Sequence, residues 1–401
     1  MKDVRWLDNL KLKISYGTQG NDNVGYAHNY TDLYRVDRVS GAAAFTKVNR
    51  GNSDLTWEKS RNFNVGFEAG FWRRLNINFD FFIKETKDLL YASPLATSEG
   101  SPTYIYRNEM DMKNTGIEME INGDIIKTKD IRWNAALNFT HYKNELTRLP
   151  NSKPADLYPN GYAAGDYWRK LGGSLYDFYY YEYVGVDPTN GKPQYNHYTY
   201  ETNEDGTVKR DANGDEIIKS IEKVNSITEA TQRQTGKSAI PSLTGGFSTT
   251  LEAYGFDLSI QTAFQLGGYV FDSYYNSLMT AGSNGHNFHK DMFDRWTPAH
   301  TDTTIPALGF DVQDAGISGN SDYYLTKASY FNLRNITLGY TLPTKIVSKW
   351  GIERLRFYLT GDNVWLQSKR RGLDPRQGYD GSTGYVYSAL SSYSFGVSLS
   401  F

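Results

Sequence analysis

The chain has 401 residues, a formal net charge of −2, 15% aromatic residues including 32 Tyr and 8 Trp, and no cysteine. The near-neutral balance excludes the basic footprint of a nucleic-acid binder, and the lack of cysteine excludes disulfides, thiolate metal sites and a cysteine nucleophile. No stretch offers the ~18 consecutive apolar residues of a transmembrane helix. The heavy aromatic content beside a mean hydropathy of −0.60 fits a membrane β-barrel, in which only alternate strand residues meet lipid while Tyr and Trp gather at the interfaces.

The start, "MKDVRWLDNLKLKISYG", lacks the apolar core and small-residue cleavage site of a secretory signal. Leu12, Ile14 and Tyr16 alternate there with Lys13 and Ser15, as in a strand. A membrane chain that opens in this way is expected to be the C-terminal piece of a longer one. The alternation recurs in "NFNVGFEAGF", where Phe63, Val65, Phe67, Ala69 and Phe71 share a face. In "RLNINFDFFIK", Leu75, Ile77, Phe79, Phe81 and Ile83 oppose Asn76, Asn78 and Asp80. In "GIEMEIN", Ile117, Met119 and Ile121 oppose Glu118 and Glu120, and in "IRWNAALNFTH" Trp133, Leu137 and Phe139 oppose Asn134 and Asn138. Further segments follow near residues 245–265, 331–342 and 355–362, and the chain closes on "YSFGVSLSF" with Tyr393, Phe395, Val397, Leu399 and Phe401 on one face. Each approaches the ~9–11 residues that a tilted strand needs to cross a bilayer.

The connections are of two kinds. Tight ones fall at "WRR" near Trp72, at 125–130, at "DPTNG" (187–191) and at Gly255, with one short helix over 343–351. Long ones span 19–60, 89–107, 146–171, 203–242, 267–327 and 367–390, with a short helix expected at 289–296. Long and short alternate if residues 192–202 form a strand of the wall. The resulting reading is an all-β, antiparallel transmembrane barrel of about twelve strands, with long extracellular loops, short periplasmic turns and the last strand ending on the periplasmic side. Asn76, Asn78, Asp80, Glu118, Glu120, Asn134 and Asn138 are expected to point to the lumen.

Nothing supports catalysis. There is no phosphate-cradling glycine motif, and "YGTQGNDNVG" opens no helix. No spacing of Ser, His and carboxylate singles out a triad, so neither an enzyme nor a cofactor is expected. His286 and His289 have a ligand-like spacing of three but lack a third ligand, and a solvated loop is the plainer reading. In "DANGDEIIKSIE", Asp211, Asn213, Asp215 and Glu222 fall at the first, third, fifth and twelfth positions of a calcium loop. The sixth position holds Glu216 where that loop needs glycine, so a polar turn competes with a cation site. The substrate-binding candidates are aromatic: Tyr167, Trp168, Tyr274, Tyr275, Phe288, Trp296, Tyr323 and Tyr324. Flat rings of this kind stack on sugar faces or peptide side chains, and equally well pack loops together or form the interfacial girdle.

Several stretches, in order and over nearly the whole chain, resemble one family. They include "LKISYGTQGNDNVG" (12–25), "NSDLTWEKSRNFNVGFEAGF" (52–71), "NEMDMKNTGIEMEIN" (108–122), "YVGVDPTNGKPQY" (183–195), "DRWTP" (294–298), "SYFNLRNITLGYTLP" (329–343) and "LRFYLTGDNVWLQSKRRGLDPR" (355–376). The family is the SusC/RagA-type TonB-dependent outer-membrane transporters of Bacteroidota. The resemblance implies a 22-stranded plugged barrel in the outer membrane, of which residues 1–401 would be the C-terminal part, without signal, plug, TonB-contacting segment or early strands. It implies nutrient uptake of oligosaccharide or peptide cargo, a SusD-like surface lipoprotein as lid, and TonB acting through the missing N-terminal region. It also gives Phe401, Leu399 and Tyr393 a role as barrel-assembly signal. A partial barrel leaves open edges in hydrocarbon, where each unpaired backbone group costs several kcal/mol. The remaining strands and plug are therefore expected from the same natural chain or from a second one. The rival readings are a self-closed passive porin and a soluble all-β carbohydrate-binding protein with its apolar faces packed together.

Overall fold

The structure, a computed structural model, describes residues 5–23, 29–100, 102–212, 214–280, 287–384 and 387–401. Ten strands form one sheet: β1 (Leu7–Asn21), β2 (Glu58–Phe71), β3 (Leu75–Pro94), β4 (Tyr104–Lys127), β5 (Ile131–Arg148), β6 (Leu243–Ala253), β7 (Phe256–Leu266), β8 (Tyr330–Thr341), β9 (Arg354–Gln367) and β10 (Ser392–Ser400). They neighbour one another in chain order, every pair antiparallel. Among the described residues β1 and β10 are edges, and the sheet does not close.

The register aligns apolar residues into rows that cross the sheet. Leu12 stands opposite Phe67, which faces Phe79, then Met119, then Phe139. Trp133, Leu251, Leu258, Leu338, Leu359 and Phe395 make a second row. Among the described residues these rows stay open: Leu12 is 76%, Leu359 59% and Phe395 66% exposed. In water so large an apolar face would not stay bare. In a bilayer it meets acyl chains. The opposite face is polar and self-paired. The Lys13 ammonium lies 2.7 Å from an Asp80 oxygen and 2.6 Å from the Asn78 carbonyl. Asn134 donates to Asp124 at 3.1 Å, and Arg356 donates to Asp257 at 2.9 Å. Glu118 and Glu120 stand opposite Asp80 and Asn78. Thus the inward set read from the sequence shares one face. The soluble alternative, which needs the apolar rows packed against each other, is overturned.

The strand count is corrected from about twelve to ten. Residues Pro193–Tyr200 pair with Tyr183–Val186 and Ile218–Val224 in a separate three-stranded sheet. At 8 residues that segment is also shorter than a bilayer crossing needs. The expected loops 146–171 and 203–242 are therefore parts of one connection, 149–242, and "DPTNG" is a turn inside it. The remaining asymmetry stands. Residues 72–74, 128–130, 254–255 and 342–353 join strands tightly at one end, and 22–57, 95–103, 149–242, 267–329 and 368–391 join them at the other. Tyr254 and Gly255 both have positive φ (52° and 84°), as a two-residue hairpin turn of primed type requires. The short helical turns Thr344–Val347, Ser348–Trp350 and Lys290–Asp294 occur where expected.

The well-buried clusters sit in the long connections and the strand ends beneath them. Tyr275, Met279, Met292, Ile305 and Tyr324 make one, and Phe178, Tyr180, Ala239 and Leu325 another. Met110, Leu146, Leu149 and Tyr162 make a third over the tops of β4 and β5. The last connection is clamped onto the one before it. Arg370 pairs with Asp272, which is 3% exposed, and its guanidinium carbon lies 3.3 Å above the Tyr275 ring. Ser273 N–H donates to the Thr383 hydroxyl at 2.9 Å and Phe271 N–H to Gly381 O at 2.8 Å. Gly381 has a φ of 81°, and a Cβ there would meet the Phe178 ring at 2.7 Å, so glycine is required for the approach.

Two outcomes follow from this layering. Phe247→Arg puts a charge on the bare face and is expected to destabilise the assembled barrel by ~2–4 kcal/mol, whereas Ser248→Arg, on the polar face, costs about 1 kcal/mol or less. Equal losses on unfolding in lipid would reverse the facing assignment. Arg370→Ala leaves the Asp272 carboxylate buried without its cation and is expected to loosen the clamp by about 3 kcal/mol. Hydrogen exchange over residues 368–384 reads this, and unchanged protection would refute it.

Candidate functional site

The aromatic candidates lie on three supports. Tyr167 and Trp168 belong to the strand Tyr167–Arg169, which forms a hairpin with Tyr162–Ala164 around Gly165, φ 63°. This hairpin continues a sheet with Asp177–Tyr181 and Gln232–Ser238. Because neighbours in a strand point to opposite faces, the two rings separate. Tyr167 packs against Tyr176 and Phe178, and its hydroxyl donates to Asp380 O at 2.8 Å. Trp168 turns to the other face, with its centroid 4.7 Å from that of Tyr179 and its Nε1 donating to Asn160 O. "DFYYY" alternates in the same way: Phe178 and Tyr180 are each 1% exposed, while Tyr179 and Tyr181 are only half-buried.

The second support is the helix Ser273–Met279, capped by Asp272, whose carboxylate accepts from Tyr275 N at 3.0 Å. Tyr275 on it and Tyr324 beyond it lie in the buried cluster, and Tyr323 packs half-buried against them. Tyr274 stays partly open. The third support is the stretch 287–297. Phe288 is 41% exposed. Trp296 is half-buried against Gly191, and its Nε1 donates to Pro188 O at 3.1 Å, so it clamps the "DPTNG" turn. The eight residues therefore form no single site. Tyr275 and Tyr324 are interior packing; Tyr167, Trp168 and Trp296 are each tied to a backbone carbonyl; Trp168, Tyr274 and Tyr323 are half-buried and Phe288 is exposed.

Sequence reasoning passed over a cavity of about 230 Å³ between that helix and the last connection, lined by Tyr274, Tyr275, His289, Arg370, Arg371 and Gln377. The signal was present as the cationic run "KRRG" beside "DPR", which periodicity does not weigh. Nearby, the Asp374 carboxyl is pushed up by burial, but the Arg376 guanidinium that grips it outweighs this and holds it below the usual carboxylate range. Across the loop layer, burial raises the Tyr200 phenol to about 12, so it remains a neutral hydrogen-bond donor at physiological pH.

The cation candidates resolve differently. Asp215 N–H donates to the Asp211 carboxylate, and Arg210 pairs with Glu216 across a hairpin turn. Glu222 lies in the middle of the strand Ile218–Val224 opposite His197. Asn213 is outside the described residues, as is His286. His289 accepts from Asp291 N at 3.2 Å and caps a helical turn. Among the described residues no group of three or more His, Asp or Glu is arranged to hold a metal ion. Tyr393, Leu399 and Phe401 are exposed on the edge strand and its end, by 72%, 45% and 79%.

The family model described as "TonB dependent receptor-like, beta-barrel" matches residues 3–213. TonB-dependent receptor P3 of Formosa agariphila is 28% identical over 94% of the chain, and TonB-dependent receptor SusC of Bacteroides thetaiotaomicron is 27% identical over all of it. The chain spans 37% and 38% of those two relatives. Among solved structures, the RagAB peptide transporter matches at a TM-score of 0.82 and 29% identity, over the whole chain and 42% of that one. The open–open state of the RagAB peptide importer matches at 0.77. A match over more than half the chain, joined to an antiparallel sheet with a bare apolar face, makes this chain a member of the TonB-dependent receptor β-barrel family, with its strands in the outer membrane.

Proposed function

We propose that residues 1–401 supply the C-terminal part of the wall and the cargo-facing loops of a SusC-like, TonB-dependent outer-membrane importer. Further strands and a plug complete the barrel, a SusD-like lipoprotein covers the loop side, and TonB drives release into the periplasm. The cargo is an oligosaccharide or peptide. The observation that carries this reading is the likeness of the entire chain to a transporter of which it covers 42%, at a TM-score of 0.82. The two unpaired sheet edges support it, because β1 and β10 each present a ladder of backbone groups that hydrocarbon cannot satisfy. Trp168, Tyr274, Tyr323 and Phe288 offer rings to cargo, while Tyr167, Tyr275, Trp296 and Tyr324 hold those rings in place. No step of covalent chemistry is required of any residue.

Cells that carry the full-length protein are expected to accumulate a fluorescent oligosaccharide or peptide, and an uncoupler of the proton-motive force is expected to abolish accumulation. Uptake that persists under the uncoupler would replace the importer with a passive pore. The apolar end of β10 has its own role in this proposal, as the assembly signal formed by Tyr393, Leu399 and Phe401. Deletion of Phe401 is expected to lower the heat-modifiable, assembled fraction several-fold without changing the melting behaviour of barrels that do assemble. An unchanged yield would leave Phe401 as an interfacial anchor only.

A further inference from the structure

We propose that the cavity between the helix Ser273–Met279 and the last connection is a subsite for a carboxylate group of the cargo. This rests on the importer reading and gives it a charge class. The argument is a balance of donors and acceptors. Arg370 is spent: it is paired with the buried Asp272 and stacked on Tyr275. Asp272 is likewise satisfied, since it also accepts from Tyr275 N. The remaining nearby carboxylate, Asp291, accepts from the Tyr275 hydroxyl at 3.0 Å.

Two donors around the cavity are not spent. Arg371 is exposed and has no hydrogen-bond or ion-pair partner among the described residues. Arg371, with five N–H groups to donate, is among the residues that line the cavity, as is Tyr274. Gln377 uses its carbonyl oxygen to accept from Gly384 N at 2.9 Å, and its NH2 has no partner among the described residues. His289 Nδ1 lies 3.2 Å from both Asp291 N and an Asp291 carboxylate oxygen, so that ring is already engaged by Asp291. A cavity of about 230 Å³ thus gathers a guanidinium and an amide with hydrogens to give, beside two aromatic rings and the already paired Asp272. An acceptor-only group of negative charge complements that set, and a planar carboxylate matches the guanidinium fork. The clamp by Arg370 holds the helix and the last connection at the spacing that keeps the cavity open.

Peptide C-termini and uronate sugars both carry this group, and matched pairs separate the two sources. The full-length protein in detergent is titrated with N-acetylated tetra-alanine, as free acid and as C-terminal amide, and with a glucose tetramer with and without a terminal glucuronate. The charged member of at least one pair is expected to bind about tenfold more tightly. Arg371→Gln is expected to remove that preference, and Arg371→Lys to restore part of it. The pair that shows the preference identifies the source. Equal affinities within both pairs, or a preference that survives Arg371→Gln, overturn the subsite and leave the importer reading intact. Failure of all four probes to bind overturns both.

Discussion

The backbone ladder governs this molecule. In hydrocarbon an N–H or C=O without a partner has no water to turn to, so strands must satisfy one another side by side. Ten strands do so in strict chain order, and the only connections that ordering needs at one end are turns as short as Tyr254–Gly255. Once the ladder is set, the period of two fixes everything on its faces. Leu12 to Phe139 and Trp133 to Phe395 become rows because the register aligns them, and Lys13, Asn78 and Asp80 meet because they lie on the other side. The sheet needs no interior core of its own, since lipid covers one face and polar groups on the other pair among themselves.

The apolar interior has moved instead into the long connections. There water surrounds the chain, and a loop of more than 90 residues between β5 and β6 must bury something to hold a shape. It does so with tyrosine: Tyr180 and Tyr195 are nearly inaccessible, as is Tyr324 in the connection between β7 and β8. A phenol fills a large volume and can still reach a polar partner, as Tyr195 does with Gly316 O at 3.3 Å, although the buried Tyr324 hydroxyl has none among the described residues. The abundance of Tyr in the sequence therefore has two causes, interfacial anchoring along the strands and packing within the loop layer.

That division explains what was legible in the sequence. The fold class, the facing of Phe63 to Phe71 against Asn62 to Glu68 and the one-sided distribution of long loops follow from alternation, which is local and needs no neighbours. The strand at Pro193–Tyr200 was misplaced because its pattern is also an alternation, and only its pairing with Tyr183–Val186 and Ile218–Val224 shows that it stays in the loop layer. The site was less legible for the same reason. Whether Tyr274 faces open space while Tyr275 fills a core depends on how a seven-residue helix is clamped, and the clamp joins Asp272 to Arg370 across 98 positions. No periodicity spans that separation. The calcium spacing of Asp211 and Glu222 failed as a guide because it presumes a single loop, whereas a hairpin turn separates those residues into different elements.

The two layers also differ in what a substitution can do. On the apolar face of the wall a change acts through solvation, graded by depth in the bilayer. In the loop layer it acts through specific partners. Asp272 illustrates this, for one carboxylate caps a helix and neutralises Arg370, while the adjacent Arg371, which also lines the cavity, has no partner among the described residues. Recognition can therefore vary in the loops without disturbing the ladder. The ladder, in turn, holds the roots of the loops, at Leu266, Tyr330, Gln367 and Ser392, in a fixed order along the sheet. A binding surface built on such roots inherits its geometry from the membrane-spanning part and its chemistry from the part in water.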